Sequence, residues 1–310
     1  MRALLATLAA GRRWRGRRPF PSRNVLVQDG LVLPADQHVH TQWSPDAPQG
    51  SMRAACVRAV EIGLPAVTFT DHADLTTLVV SDEAAEYIRM VGGQVTDGTY
   101  RPPPLDVAGY LECVQQCRRE FAGRLQVAAG VELGDPHLHP AAAAAVAGSG
   151  FALIVGSVHS LRREAGFADA ADRYADVPPA EVVREYLAEV TVMAESPADF
   201  AVLAHVNYAA RYWPAGQGKY SSADFEAEYR TALRALARSG RAMEINTSGW
   251  LPLDANLLTW WREEGGQAVS FGSDAHDPLT IGREFASAAA LAQAAGFGPG
   301  RRGPGLRERS

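Results

Sequence analysis

The chain has 310 residues, 47% hydrophobic and 21% charged, with a formal net charge of −5. Those values suit one large globular domain with an ample core, and they give no reason to expect nucleic acid or an anionic membrane as a partner. Cys56, Cys113 and Cys117 form no CxxC pair, which argues against a disulfide scaffold and fits a reducing, cytoplasmic setting.

Residues 1–32 hold a mildly apolar stretch followed by Arg12, Arg13, Arg15, Arg17, Arg18 and Arg23. A signal peptide would carry its positive charge first, so this segment is expected to be a basic, disordered tail. From residue 33 a single theme repeats. Apolar, strand-like runs fall at 35–40, 66–72, 125–133, 151–159, 201–206, 242–247 and 268–273. Helical stretches rich in Ala, Leu, Glu and Arg are predicted at 51–62, 107–121, 179–195, 222–237, 255–264 and 279–295. Strands this apolar are buried on both faces, as in a parallel sheet covered by helices. Seven such units predict an α/β fold that closes as a TIM-like barrel in preference to an open sheet. Segments 73–104 and 161–177 exceed ordinary loop length and follow strand ends, the face where such barrels place their chemistry; they are expected to wall or cover a site. Residues 33–295 are read as one catalytic domain, and the Gly/Arg/Pro-rich stretch 296–310 as a flexible tail.

The eight histidines are not scattered. His38, His40, His72, His159, His205 and His276 sit at or just past the ends of predicted strands, in DQHVH, TFTDH, IVGSVH, VLAHV and FGSDAH. In a β/α barrel those ends converge on one surface. Asp36, Asp46, Asp71, Glu132 and Asp274 lie beside them. Imidazole with carboxylate suits zinc, manganese or iron(II), and the absence of thiolate argues against a structural zinc site. His38 and His40 are two apart and so project from one face of a strand, where one ion can accept both. His137 and His139, in GVELGDPHLHP, are read as helix-start or substrate-contact residues.

These motifs resemble the PHP (polymerase and histidinol phosphatase) superfamily. The resemblance runs from Asp36 to His276, through DQHVHT, TDH, GVE, SVHS, AHVNY and GSDAH, and within the superfamily is closest to the monofunctional histidinol-phosphatase-like branch. It implies a distorted (β/α)7 barrel with two or three divalent ions (Mn, Fe or Zn) at the C-terminal ends of the strands. The first ion would take His38, His40, Glu132 and Asp274. Glu132 would bridge to a second, held by His159 and His205. A third would take His72, His276 and Asp46, a position where many relatives have histidine.

The implied activity is phosphate monoester hydrolysis, with L-histidinol phosphate of histidine biosynthesis as leading substrate. A metal-bridging hydroxide would attack phosphorus, and Asp274 or Asp71 would carry the proton. Arg162 and Arg211 are the candidate phosphate-binding side chains. Tyr208, Tyr212 and Trp213 either line the pocket or pack a loop. A nucleotide or nucleic-acid phosphodiesterase or exonuclease of the same superfamily is the rival function, and a non-catalytic, metal-stabilised binding module is the third. An amidohydrolase bridged by carbamylated lysine is disfavoured, because the single lysine, Lys219, lies in a loop. Oligomeric state is not legible.

Overall fold

The computed structural model describes residues 33–249, 253–299 and 306–309. The expected tail over 1–32 lies outside the described residues. In chain order the strands are β1 (Asp36–Val39), β2 (Ala66–Phe69), β3 (His72–Asp74), β4 (Leu78–Val79), β5 (Val95–Thr96), β6 (Thr99–Tyr100), β7 (Gln126–Gly134), β8 (Leu153–Ser157), β9 (Ser160–Arg163), β10 (Gly166–Asp169), β11 (Val202–Leu203), β12 (Ala242–Asn246), β13 (Ala268–Gly272), β14 (Phe297–Pro299) and β15 (Leu306–Arg309). Seven of them form one parallel series, β1-β2-β7-β8-β11-β12-β13. Helices Met52–Glu61, Val107–Glu120, Pro140–Ala147, Pro179–Glu195, Glu226–Ser239 and Ala255–Glu263 occupy the connections between them. Phe69, Val127 and Phe271 on the strands and Tyr110, Tyr186 and Trp261 on the helices are buried in one core. That burial on both sheet faces is why the strands read as unbroken apolar runs.

The series curls until its ends meet. Asp274 N–H donates to His38 O at 2.8 Å, His40 N–H donates to Ala275 O at 2.9 Å, and Val39 bridges Ala275 in parallel. The result is a (β/α)7 barrel, distorted because this seam is short. The remaining free edge of β13 is taken by β15, antiparallel, which in turn carries β14. Within the expected tail at 296–310, residues 297–299 and 306–309 are therefore strand, and the rest lies outside the described residues. Phe297 is fully buried, and Arg307 lies buried with its guanidinium 5.6 Å from the Phe271 ring centroid. An edge strand and one aromatic anchor explain why these two short pieces take up strand positions where composition alone suggests a tail. The helix predicted from 279 begins at Phe285, because Pro278 opens a separate 3-10 turn and Gly282 and Glu284 adopt positive φ before it.

The two long insertions build one structure. β4, β5 and β6 from the first join β9 and β10 from the second in a five-stranded sheet ordered β5-β6-β4-β10-β9. It lies on the side where the metal-type residues emerge, as expected of a wall. β3 pairs with the end of β7 and sets His72 directly opposite Glu132.

Candidate metal centre and its cavity

Every residue expected as a ligand arrives at the same place. The inner part is fully buried: the side chains of His38, His40, Glu132 and His205 are shielded from solvent. Glu132 is the hub. Its Oε2 stands 3.3, 3.5 and 3.0 Å from His38 Nε2, His40 Nε2 and His72 Nδ1, and its Oε1 2.9 and 3.3 Å from His205 Nε2 and His159 Nε2. Asp274 Oδ1 lies 3.7 and 3.3 Å from the Nε2 atoms of His38 and His40. On the outer rim Asp46 Oδ2 sits 3.1 Å from His276 Nε2 and 3.4 Å from His72 Nε2. Asp274 adopts φ +53, a left-handed conformation that costs a non-glycine residue about 1 kcal/mol or more. Its N–H closes the barrel seam while its carboxylate faces the cluster, and together these hold the strained backbone.

Proton positions follow from the outer partners. Nδ1 of His38 donates to Glu244 Oε1 at 2.7 Å, and Nδ1 of His40 donates to Ser44 Oγ at 3.0 Å. In its neutral form each ring would then turn an Nε2 lone pair inward, and the two Nε2 atoms stand 3.1 Å apart. Two lone pairs so close repel unless a proton or a cation lies against them. Burial, then the neighbouring His276 and His72, pushes the His40 imidazole down to about 3, so it stays neutral and able to ligate. Burial also works against the charged form of Glu132, but His38, His159 and His72 outweigh it and hold the carboxyl well below its ordinary range. Four groups of three side chains bring one ligand atom each within 4.8 Å of one another: His38/His40/Asp274, His38/Glu132/His205, His40/His72/His276 and His72/Asp74/His159. The donor set and its arrangement fit divalent ions.

Two carboxylates escaped the sequence analysis. Asp74 Oδ1 holds His159 Nδ1 at 3.0 Å and shares a ligand group with it. Glu244, buried on β12, takes His38 Nδ1–H with one oxygen; with the other it accepts the His205 backbone N–H at 2.8 Å and the Asn246 amide at 3.0 Å. Gly272 faces it because any Cβ there would collide with the Glu244 carboxylate. A charged residue inside the apolar run 242–247 was the available signal, since a buried charge must have partners. Glu244→Gln is expected to weaken metal affinity about 10–100-fold. Competition with a chromogenic chelator measures this, and unchanged affinity would remove Glu244 from the positioning of His38.

Several expected roles are corrected. Asp71 is fully buried and turned away from the cavity. Its oxygens accept from Thr41 N–H (2.6 Å), the Thr41 hydroxyl (2.8 Å) and the Ser44 hydroxyl (2.7 Å). Through Ser44 it orients His40, and it has no path to a substrate. Asp36 likewise clasps backbone, accepting from Ser273 and Gly282 N–H. Burial outweighs those donors and pushes its carboxyl up to about 6. Arg162 is exposed on β9 and stacks on Phe167 at 4.6 Å, outside the cavity lining. His137 pairs with Glu189 at 2.6 Å, and His139 precedes helix Pro140–Ala147 and meets Thr76 Oγ1 at 3.0 Å, so both are structural. Trp213 packs against Tyr220 and Phe225, whereas Tyr208 and Tyr212 line the cavity.

Arg211 does reach the site. Its Nη1 holds Asp274 Oδ2 at 2.8 Å, and its buried Nη2 has no hydrogen-bond partner among the described residues. Above the cluster opens a cavity of about 870 Å³, walled by Leu78, Tyr87, Ile88 and Pro102 of the first insertion and by Asp169 and Asp172 of the second.

The PHP domain family matches residues 36–248 of this chain. The chain belongs to the PHP-domain family. A histidinol-phosphatase of Lactococcus lactis subsp. lactis is 23% identical over 271 residues, covering 84% of this chain and 91% of the relative. A Deinococcus radiodurans protein named "Probable histidinol-phosphatase" is 27% identical over 262 residues, covering 82% and 90%. Among solved structures, the L. lactis histidinol phosphate phosphatase complexed with zinc, L-histidinol and phosphate superposes with a TM-score of 0.68 at 22% identity, covering 85% of this chain and 94% of that one. At that identity the likeness carries the fold, and the distorted barrel is the same.

Proposed function

We propose that the chain is a metal-dependent phosphatase of phosphate monoesters, with L-histidinol phosphate as its leading substrate. One observation carries the reading: a buried guanidinium with a free Nη2 stands beside a cluster of imidazoles and carboxylates at the floor of a cavity. The names of the relatives from L. lactis and D. radiodurans, and the zinc, L-histidinol and phosphate bound by the former, support it.

His38, His40, Glu132 and Asp274 would hold one ion, Glu132, His159 and His205 a second, and His72, His276 and Asp46 a third. When bound, such ions act as Lewis acids that acidify water and neutralise phosphoryl charge. Arg211 has two tasks. Nη1 fixes Asp274, and Nη2 is left to donate to a non-bridging phosphoryl oxygen, a charge-assisted bond that strengthens as charge develops there. Asp274 is the proton carrier that remains once Asp71 is removed. Burial works against its charged form, but Arg211 and His38 outweigh this and keep it ionised, ready to accept a proton at Oδ1. The insertions exclude bulk water from the floor, which strengthens each of these contacts. The three free cysteines support placing the protein in a reducing cytoplasm, and no helix among the described residues is long and apolar enough to cross a membrane.

Elemental analysis and phosphate release from L-histidinol phosphate, made on one sample, test the reading. Two or three equivalents of zinc, manganese or iron with chelator-sensitive release are expected. A protein that binds no metal, or one that is fully loaded and releases phosphate only from nucleotide diesters, would overturn it.

A further inference from the structure

The three ion sites proposed above leave one ligand group without an ion. His72, Asp74 and His159 each bring a ligand atom within 4.8 Å of the other two, yet Asp74 belongs to none of the three sites. The atoms that meet there are His159 Nδ1, 3.0 Å from Asp74 Oδ1, and His72 Nδ1, 3.7 Å from Asp74 Oδ2. Each ring turns its other nitrogen toward a proposed site. Nε2 of His159 lies 3.3 Å from Glu132 Oε1, and Nε2 of His72 lies 3.4 Å from Asp46 Oδ2. A neutral imidazole has one lone pair, so each ring serves one side at a time. The His72 side chain is only 10% exposed, and its Nδ1 has no hydrogen-bond partner among the described residues. Gly134 leaves the space that Asp74 Oδ1 fills, since a Cβ there would overlap it.

Exposure gives this group a direction. The side chains of Asp74 and His159 are 26% and 14% exposed, against 1% and 2% for Glu132 and His205 further in. The His159 ring stands between the two levels, stacked on His205 at 5.3 Å between centroids and edge-on to His72 at 5.4 Å. Asp46 and Asp169 line the same cavity, and a cleft lined by one sign of charge concentrates ions of the other. The third site opens on the rim by itself, through His276 and Asp46. The second lies behind His159.

We infer that His72, Asp74 and His159 form a staging site, through which a divalent cation from solvent reaches the second position beside Glu132 and His205. Asp74 and the two Nδ1 lone pairs take the incoming cation. Its passage inward is matched by one proton on His159, which leaves Nε2 and returns to Nδ1 through solvent. That exchange frees the Nε2 lone pair for the second site. The Nδ1–H then donates to Asp74 Oδ1, the contact at 3.0 Å, and keeps the ring from turning back. Asp74 is thus a ligand in transit and a hydrogen-bond acceptor afterwards. The inference rests on the metal-dependent reading above and adds the route by which its second site fills.

The rate of loading separates staging from holding. Metal-free, full-length protein is mixed with excess zinc ion, and uptake is followed by stopped flow with a chromogenic zinc indicator. Zinc content is then measured after prolonged dialysis. Asp74→Asn keeps an oxygen to accept the His159 Nδ1–H but removes the negative charge. It is expected to slow the uptake of one equivalent about tenfold or more, the low end of what a charged cleft adds to capture. The dialysed content is expected to equal that of the parent. Uptake at the parent's rate in every phase overturns the staging site. So does normal uptake with one equivalent missing after dialysis, which would make Asp74 a residue that only holds His159 in place. Should Asp74→Asn fail to fold, Asp74→Ala takes its place, judged on uptake rate. A parent that binds no zinc sinks the metal-dependent reading and the staging site together, whereas bound zinc with rates indifferent to Asp74 sinks the staging site alone.

Discussion

Glu132→Gln is expected to lower kcat/KM by at least about 10³-fold and to deplete bound metal, because partners one shell further out already cost 10–100-fold when removed. One carboxylate faces five imidazoles, those of His38, His40 and His72 through Oε2 and those of His159 and His205 through Oε1. An amide keeps the shape but loses the charge, and its nitrogen, whose lone pair is delocalised into the carbonyl, cannot ligate an ion as a carboxylate oxygen does. The same charge offsets the raised imidazoles of His38, His72 and His159, on which burial acts downward but the surrounding carboxylates act upward more strongly. Kinetics and elemental analysis of the variant check this together. Activity within tenfold of the parent at full metal content would show that Glu132 bridges nothing.

Arg211→Ala is expected to cost about 10²–10³-fold in kcat, the range seen when one preorganised donor to developing charge is removed. Lysine should recover little, because one ammonium cannot hold Asp274 Oδ2 and offer a second directed donor at once. The informative control is competitive inhibition by inorganic phosphate, which should weaken about tenfold or more in Arg211→Ala. Undiminished phosphate inhibition with lost activity would mean that Arg211 serves only to position Asp274.

The barrel and the ligands were legible for one physical reason. Strands buried on both faces are apolar along their length, so polar residues stand out where a strand ends, and seven strand ends share one surface. His38 and His40 needed only the two-residue pleat to be placed together. Asp71 misled because its position beside His72 is the same whether it faces the cavity or Ser44; alternation along the strand sends its side chain the other way. Arg162 lies close to His159 in sequence, but the hairpin β9–β10 carries it out to solvent. Glu244 belongs to no motif; its one mark in the sequence is a charge inside an apolar run, and its partners, His38 and the His205 backbone, come from tertiary structure. Phe297 and Leu306 to Arg309 were hidden by glycine, proline and arginine around them; their order comes from the free edge of β13.

The barrel's seam and its chemistry are the same place. His38 and His40 on the first strand meet Asp274 and Ala275 after the last through two backbone hydrogen bonds, and the side chains on either side of that join converge on the cluster. Cluster members on opposite sides of it, Asp46 and His276, are separated by 230 positions in sequence. An ion gripped from both sides would therefore act as a reversible cross-link, closing a loop that takes in most of the chain. Because such a site is assembled from both ends of the barrel only in the folded chain, the ion's binding free energy would add to folding stability. Chelation would unlatch the cylinder as well as silence it.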